Sequence, residues 1–171
     1  MKLGKIVQLQ YLPSPCGELL LGSVGNELCL CDWASMPCSE RYCRRLSRLL
    51  GAEFREEPSA VIDCAAWQLE EYFAGKRREF SIKLRPVGTV FQQRVWQALL
   101  TIPYGQTCSY IDVARSIGCE RGVRAVAQAI GANALAVFIP CHRVVGADGS
   151  LTGFAGGLQA KRRLLEVEGV Y

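Results

Sequence analysis

The sequence has a single histidine, His142, so any chemistry that needs an imidazole must use that residue. It has no apolar run approaching the ~20 residues that span a bilayer as a helix, which excludes that kind of membrane protein. The opening Met1-Lys2-Leu3-Gly4-Lys5-Ile6-Val7 is basic but has no long apolar stretch behind it. That argues against a secretory signal and makes the cytoplasm the expected compartment. No internal repeat or low-complexity segment is visible, which excludes repeat arrays. Charge of one sign is also scarce. The net value is +4, which permits contact with nucleic acid without demanding it.

Cysteine, by contrast, is plentiful. There are nine: Cys16, Cys29, Cys31, Cys38, Cys43, Cys64, Cys108, Cys119 and Cys141. The odd number, the irregular spacing and the missing export signal weigh against a disulfide framework. Most are expected to be small buried hydrophobes in a reducing compartment. Cys29-x-Cys31 with Cys38 and Cys43 departs from the common zinc spacings, so no metal is expected. Half of the 171 residues are apolar and about a fifth are charged, the balance of a globular protein with room for one domain or two small ones.

The first half reads as strands followed by helices. Lys5 to Tyr11, Glu18 to Val24 and Glu27 to Trp33 have strand character, separated by Pro13-Ser14-Pro15-Cys16-Gly17 and by Gly25-Asn26. A basic amphipathic helix fits Ser39 to Leu50, with Tyr42, Leu46, Leu49 and Leu50 as its stripe. A second helix fits Ser59 to Phe73, with Val61, Ile62, Ala65, Leu69 and Tyr72 at helical spacing and Gly75 ending it. Phe80 to Leu84 alternates as a further strand. Pro86-Val87-Gly88-Thr89 marks the boundary between a 1–85 scaffold domain and an 86–171 domain.

Beyond that boundary the pattern turns helical. Thr89 can cap a helix containing Phe91, Val95, Trp96, Leu99 and Leu100, and Pro103-Tyr104-Gly105 breaks it. Ser109 opens the next, with Asp112 at capping-box spacing and Ile111, Ala114 and Ile117 on its inner face. After the turn Gly118-Cys119-Glu120-Arg121-Gly122, a third helix runs from Val123 to Ala132. Two helices around a short glycine-containing turn form a helix-turn-helix pattern. On the third helix Val123, Val126 and Ile130 fall inward, while Ala125, Ala129 and Ala132 make a small-residue face. Such a face serves close packing against a neighbouring helix or close approach to a DNA groove, with Arg124 placed to meet phosphate or enter the base stack. The 86–171 half carries 8 basic and 5 acidic residues against 12 and 11 in 1–85, so it is the better candidate to meet phosphates.

Chemistry concentrates after the apolar run Leu135-Ala136-Val137-Phe138-Ile139. Pro140 ends the run, and Cys141 and His142 follow. An adjacent base can turn a thiol into thiolate, the nucleophilic form. Neighbouring side chains often point apart, so a water would link imidazole to sulfur. Gly153-Phe154-Ala155-Gly156-Gly157 has little bulk and suits a loop folding over a planar ligand. The last helix runs from Leu158 to about Glu168, with Lys161, Arg162 and Arg163 expected on its solvated face. Glu168 lies where the helix dipole disfavours a carboxylate, which hints at a partner such as His142.

Over Phe91 to Gly169 the chain resembles the O6-alkylguanine-DNA alkyltransferases, also called methylated-DNA–protein-cysteine methyltransferases. The residues that carry the resemblance are Ile139-Pro140-Cys141-His142-Arg143-Val144, Gly153-Phe154-Ala155-Gly156-Gly157, and Lys161, Leu164, Leu165 and Glu168. Phe91-Gln92-Gln93-Arg94-Val95-Trp96 and Ile102-Pro103-Tyr104-Gly105 also match. The resemblance is weaker over the N-terminal half. It implies an α/β fold, with a small ribonuclease H-like domain followed by a mostly helical winged helix-turn-helix domain.

The resemblance further implies repair of DNA by direct reversal. O6-alkylguanine, and also O4-alkylthymine, would be flipped from the duplex and its alkyl group moved irreversibly to Cys141. His142 would take the thiol proton and Glu168 would orient the imidazole. Asn133 would brace the turn, and Tyr110 would assist rotation and donate to guanine N3. Arg124 would fill the gap in the stack, with Ala125 and Ala129 at the minor groove. The carbonyls of Cys141 and Val144 would receive the guanine amino group, and Phe154, Ala155 and Gly156 would complete the pocket. Phe154 stands where the family often has tyrosine and Ala155 where serine is common, so a hydroxyl is absent at each. Some relatives hold zinc through N-terminal Cys and His, and this chain has no histidine there. No metal or cofactor is expected, and the expected partner of a monomer is duplex DNA, with no membrane. An alkyltransferase-like lesion binder would lack Cys141. A cysteine hydrolase or a transcription factor would leave, respectively, the helix-turn-helix or the Cys-His segment unexplained.

Overall fold

The computed structural model describes residues 4–35 and 37–171. The extreme N-terminus Met1-Lys2-Leu3, Met36 and the side chains of Pro37, Cys38 and Ser39 lie outside the described residues. The chain divides into two compact units, Met1–Val87 and Gly88–Tyr171. The first is a sheet with helices and the second is mostly helical, so the protein is a two-domain mixed α/β structure.

In the first unit β1 (Lys5–Leu12), β2 (Leu19–Val24) and β3 (Glu27–Trp33) form an antiparallel meander. The two-residue turn Gly25-Asn26 joins β2 to β3, and Gly25 takes the left-handed φ of 60° that this tight connection requires. The chain then forms α1 (Pro37–Leu50) and returns as β4 (Ala52–Glu56), parallel to β1, for a strand order β3-β2-β1-β4. β4 has no counterpart in the sequence reading. It alternates Ala52 inward with charged Glu53 and Arg55 outward, the habit of an edge strand, and carries too little apolar signal to stand out. α2 (Ala60–Phe73) is capped by the Ser59 hydroxyl and buries Ile62, Ala65, Leu69 and Tyr72.

Three expectations for this unit change. Phe80 to Leu84 is not a strand, since only Leu84 bridges, to Leu28. Gln68 of α2 holds the segment instead, accepting from the Ser81 amide at 2.9 Å and donating to its hydroxyl at 3.1 Å. Those side-chain bonds take the place of a ladder. Along α1, Tyr42 and Leu46 are buried but Leu49 is exposed, so the stripe is shorter than expected. Among the described cysteines only Cys29, Cys31 and Cys141 are buried; the rest are partly or fully exposed.

The second unit begins with α3 (Val90–Leu99), started by a complete Thr89–Gln92 capping box. Trp96 is buried and donates its indole N–H to the Ala129 carbonyl at 2.8 Å. Gly88 packs so closely on that indole that a Cβ would lie 2.4 Å from it. β5 (Cys108–Ser109) leads into α4 (Tyr110–Ser116), whose Ser109–Asp112 capping box is also complete. The burial along α4 falls on Val113 and Ala114, with Ile111 and Ile117 only partly covered. α4 ends in a Schellman motif. Gly118, at φ 66°, donates to Arg115 and Cys119 donates to Ala114. A 3-10 turn (Glu120–Gly122) then starts α5 (Val123–Gly131), which completes the helix-turn-helix.

α5 corrects the two-face reading of the alanines. Ala129 is buried with Val126 and Ile130, and its carbonyl accepts from the Trp96 indole; Arg124 and Ala125 are exposed. Ala129 therefore cannot present its side chain to a groove. After α5 the buried run 133–145 crosses the unit, passing through a second 3-10 turn (Cys141–Arg143) into β6 (Val144–Val145). β6 pairs in parallel with β5, and α6 (Leu158–Val167) closes the unit. No helix among the described residues is long and apolar enough to cross a membrane.

Candidate active site

The thiol of Cys141 sits at the start of the second 3-10 turn, 8% exposed. Pro140 fixes φ just before it, and the Cys141 amide donates back to Ile139 at 2.8 Å. Val137, within the preceding run, takes a φ of 71°, rare for a β-branched residue and a local strain that the packed surroundings must hold. Asn133 ties this run together. Its side-chain N–H donates to the Ile139 carbonyl at 3.0 Å and to the Cys141 sulfur at 3.2 Å, while its carbonyl accepts from the Leu135 amide at 2.9 Å. A donor aimed at sulfur stabilises the anionic form more than the neutral one.

The next residue points into the core. His142 is completely buried, and its Nε2 lies 2.7 Å from Oε1 of buried Glu168. Arg143 grips the same carboxylate in a fork, Nε to Oε2 at 2.9 Å and Nη2 to Oε1 at 3.0 Å. Its Nη1 donates to the Ile102 carbonyl at 2.6 Å, and its guanidinium lies 5.8 Å from the Tyr104 ring centroid. The Gly105 amide donates to Oε2 at 3.1 Å. Glu168 is the C-cap of α6, where the dipole opposes a negative charge. The bidentate arginine offsets that and holds the carboxylate ionised.

An ionised carboxylate only accepts, so Nε2 of His142 carries the hydrogen and Nδ1 keeps its lone pair. Burial lowers the His142 pKa below its usual 6.5, and the Glu168 bond opposes that fall. The imidazole is therefore neutral near pH 7 and available as a base.

Lys161 is not on a solvated face. It is fully buried, donating to the carbonyls of Val144 at 2.6 Å and Thr152 at 2.9 Å. The spacing contained the signal: Lys161, Leu164, Leu165 and Glu168 recur at the interval of a buried helical stripe, and all four are buried. Arg162 and Arg163 are exposed and pair with Glu166.

Tyr110, the first residue of α4, is half-buried and donates to the Thr152 carbonyl at 3.3 Å. Phe154 lies with its ring centroid 5.9 Å from the Lys161 ammonium, and Ala155 and Gly156 are half-buried beside it. Thus Cys141, His142, Glu168 and Asn133 form one cluster, and Tyr110, Val144 and Phe154 meet around Lys161. Arg124 and Ala125 stand on the open side of α5. The sequence reading gives Arg143, Lys161 and Thr152 no role at the site; Arg143 and Lys161 are charges in a buried setting, where composition alone would place them in solvent. No group of three or more metal-ligating side chains is present among the described residues.

Comparison with known proteins covers both units. Residues 7–86 match the family model "6-O-methylguanine DNA methyltransferase, ribonuclease-like domain", and residues 90–170 match "6-O-methylguanine DNA methyltransferase, DNA binding domain". A methylated-DNA–protein-cysteine methyltransferase of Mycobacterium tuberculosis is 56% identical over 163 residues, spanning 95% of this chain and 93% of its own. The constitutive methylated-DNA–protein-cysteine methyltransferase of Bacillus subtilis is 50% identical over 117 residues, 68% of this chain and 70% of its own. A crystal structure of Mycobacterium tuberculosis OGT in complex with DNA superposes with a TM-score of 0.82 at 42% aligned identity, covering 95% of this chain and 92% of that one.

Proposed function

The chain belongs to the 6-O-methylguanine DNA methyltransferase family, a family of DNA-repair methyltransferases, and on that premise we propose that it moves O6-alkyl groups from guanine in duplex DNA onto Cys141. The observation that carries the assignment to Cys141 is the cluster around it: a thiol receiving a hydrogen bond from Asn133, beside a neutral imidazole held by Glu168.

An O6-alkyl group projects into the duplex, so the base must leave the stack to be reached, and a damaged pair lowers the cost of that step. Arg124 and Ala125, exposed on α5, enter the minor groove, and Arg124 takes the space the base vacates. Tyr110 guides the rotation and then donates to guanine N3. The Cys141 and Val144 carbonyls accept from the guanine amino group, the Ala155 amide faces O6, and Phe154 and Gly156 line the pocket.

The chemistry follows from the charges. Nδ1 of His142 takes the thiol proton through a water, and Glu168 stabilises the imidazolium. The thiolate attacks the alkyl carbon, a carbon–sulfur bond forms, and the carbon–O6 bond breaks with its electron pair passing to the purine. The hydrogen bond at N3 offsets that charge, and the released guanine recovers a proton from solvent. The product is a neutral thioether. No further group is assigned to regenerate the thiol, so one molecule, acting as a monomer, treats one lesion. O4-alkylthymine presents a similar alkyl oxygen and is a second substrate of the same site.

The test is intact mass after incubation with an oligonucleotide containing O6-methylguanine. The expected result is a gain of one methyl group, mapped to Cys141. An unmodified protein, or a methyl group on another residue, would refute the assignment.

A further inference from the structure

On α6 a cation occupies a position where the buried stripe would take leucine. Lys161 is fully buried, and an ammonium is far more costly to remove from water than an aliphatic chain of the same size. The cation is accounted for by what it holds. Nζ donates to the Val144 carbonyl, in β6 just past the Cys141 turn, and to the Thr152 carbonyl, at the start of the glycine-rich loop. The Phe154 ring of that loop lies against the same ammonium, and the Tyr110 hydroxyl donates to the same Thr152 carbonyl. Val144, Phe154 and Tyr110 are assigned to the base pocket; the first two meet this charge directly, and Tyr110 shares with it the Thr152 carbonyl.

We infer that Lys161 is a positioning residue for the transfer: its ammonium bolts the loop 152–157 to the turn that carries Cys141, and so sets the width of the pocket before a base enters. The inference rests on the proposed function for its account of what enters the pocket. With the bolt in place, the Val144 carbonyl keeps its second lone pair directed at the purine edge, and the Phe154 ring is held at a fixed height above it. Burial lowers the ammonium to a pKa of about 8, while the negative charge that Cys141 can carry raises it. The bolt therefore weakens in mildly alkaline solution.

Lys161→Met keeps the volume and removes the donor, and Lys161→Gln restores two neutral donors. Each is compared with the unaltered protein for reaction with free O6-benzylguanine, separating the half-saturating concentration from the saturating rate, and for amide hydrogen exchange over 152–157. For Lys161→Met the half-saturating concentration rises about tenfold or more, the loss expected for charge-assisted hydrogen bonds. The saturating rate changes less, and exchange quickens in the loop but not in α3 or α5. Lys161→Gln falls between the two, and it carries the test where the methionine variant does not fold. In the unaltered protein the half-saturating concentration rises above about pH 8, and in Lys161→Met that rise is absent. Folded variants with unchanged loop exchange, or with their whole loss in the saturating rate, would overturn the bolt. Failure of the unaltered protein to label at Cys141 would instead refute the functional reading, and loop exchange would still decide the role of Lys161.

Discussion

Three adjacent residues divide the labour at the turn proposed to react: Cys141 receives a hydrogen bond from Asn133, His142 is buried against Glu168, and Arg143 secures the same carboxylate. The last of these is a buried charge pair, and removing one partner of such a pair strands the other. Arg143→Met is expected to destabilise the fold by about 3–5 kcal/mol, because Glu168 loses its counter-charge. Urea denaturation measures it, and a loss under ~1 kcal/mol would show that Glu168 is satisfied without the arginine. For pH, the sign follows from burial. The folded-state pKa of His142 lies below its usual 6.5, so the unfolded chain binds a proton there before the folded one does. The contribution to stability is thus complete above pH 6.5 and is lost as pH falls below it. Under the proposed mechanism alkyl transfer needs the neutral imidazole, so it should stay level from about pH 7.5 down through 6.5 and decline only on the acid side. A decline centred at or above 6.5 would contradict the depressed value.

At the scale of elements, α5 provides the clearest contrast. Ala125 and Ala129 differ by one helical turn and have opposite environments, one open and one packed under Trp96. Ala125→Glu should weaken binding to duplex DNA with little change in melting temperature. Ala129→Leu should lower stability by about 1–3 kcal/mol through overpacking. Like behaviour of the two substitutions would exclude this division between an open Ala125 and a packed Ala129. Arg124→Ala should slow repair in duplex DNA far more than reaction with free O6-benzylguanine, because only the duplex leaves a gap to fill; equal losses on both would exclude that role.

The same elements show what the sequence could reveal. The Ser109–Asp112 capping box was legible, as was Thr89 as a cap, because such geometry is local; the reciprocal Gln92 bond that completes the Thr89 box emerged with the structure. The meander was legible from alternation and from Gly25-Asn26. β4 was not, because an edge strand of charged residues takes its identity from pairing with β1, far away in sequence. Phe80 to Leu84 misled for the converse reason: its alternation is real, but Gln68 captures its backbone before a ladder can form. Cys141 and His142 could be singled out by position and by the lone histidine. The burial of Lys161 was readable from the spacing of its stripe, but the roles of Arg143 and Lys161 were not, since their partners are carbonyls and a carboxylate that only the fold brings near.

For the whole molecule, the proposed mechanism ends in an irreversible bond, which would make the protein its own reagent. Titration of methylated duplex against protein should end at one lesion per molecule, and Cys141→Ser should bind alkylated DNA without transfer. Turnover of many lesions per molecule would exclude the thioether mechanism. Affinity for DNA should fall as salt rises, because phosphate contacts release counterions. The alkylated protein should melt below the free one, since the new group adds volume at a packed position and overpacking costs about 1–3 kcal/mol. An equal or higher melting temperature after alkylation would show that the site has space for the product.

The pairing of β5 with β6 is only two residues long, Cys108 with Val144 and Ser109 with Val145. Small as it is, it splices the segment that opens the helix-turn-helix to the segment that leaves the reactive turn. Val144 is tied on one side to the Cys141 carbonyl through its amide and on the other to Cys108, two residues before α4. If Cys141 takes up an alkyl group as proposed, this splice is the route by which the product would be felt at the start of α4, so alkylated protein is expected to bind duplex DNA more weakly than the free form.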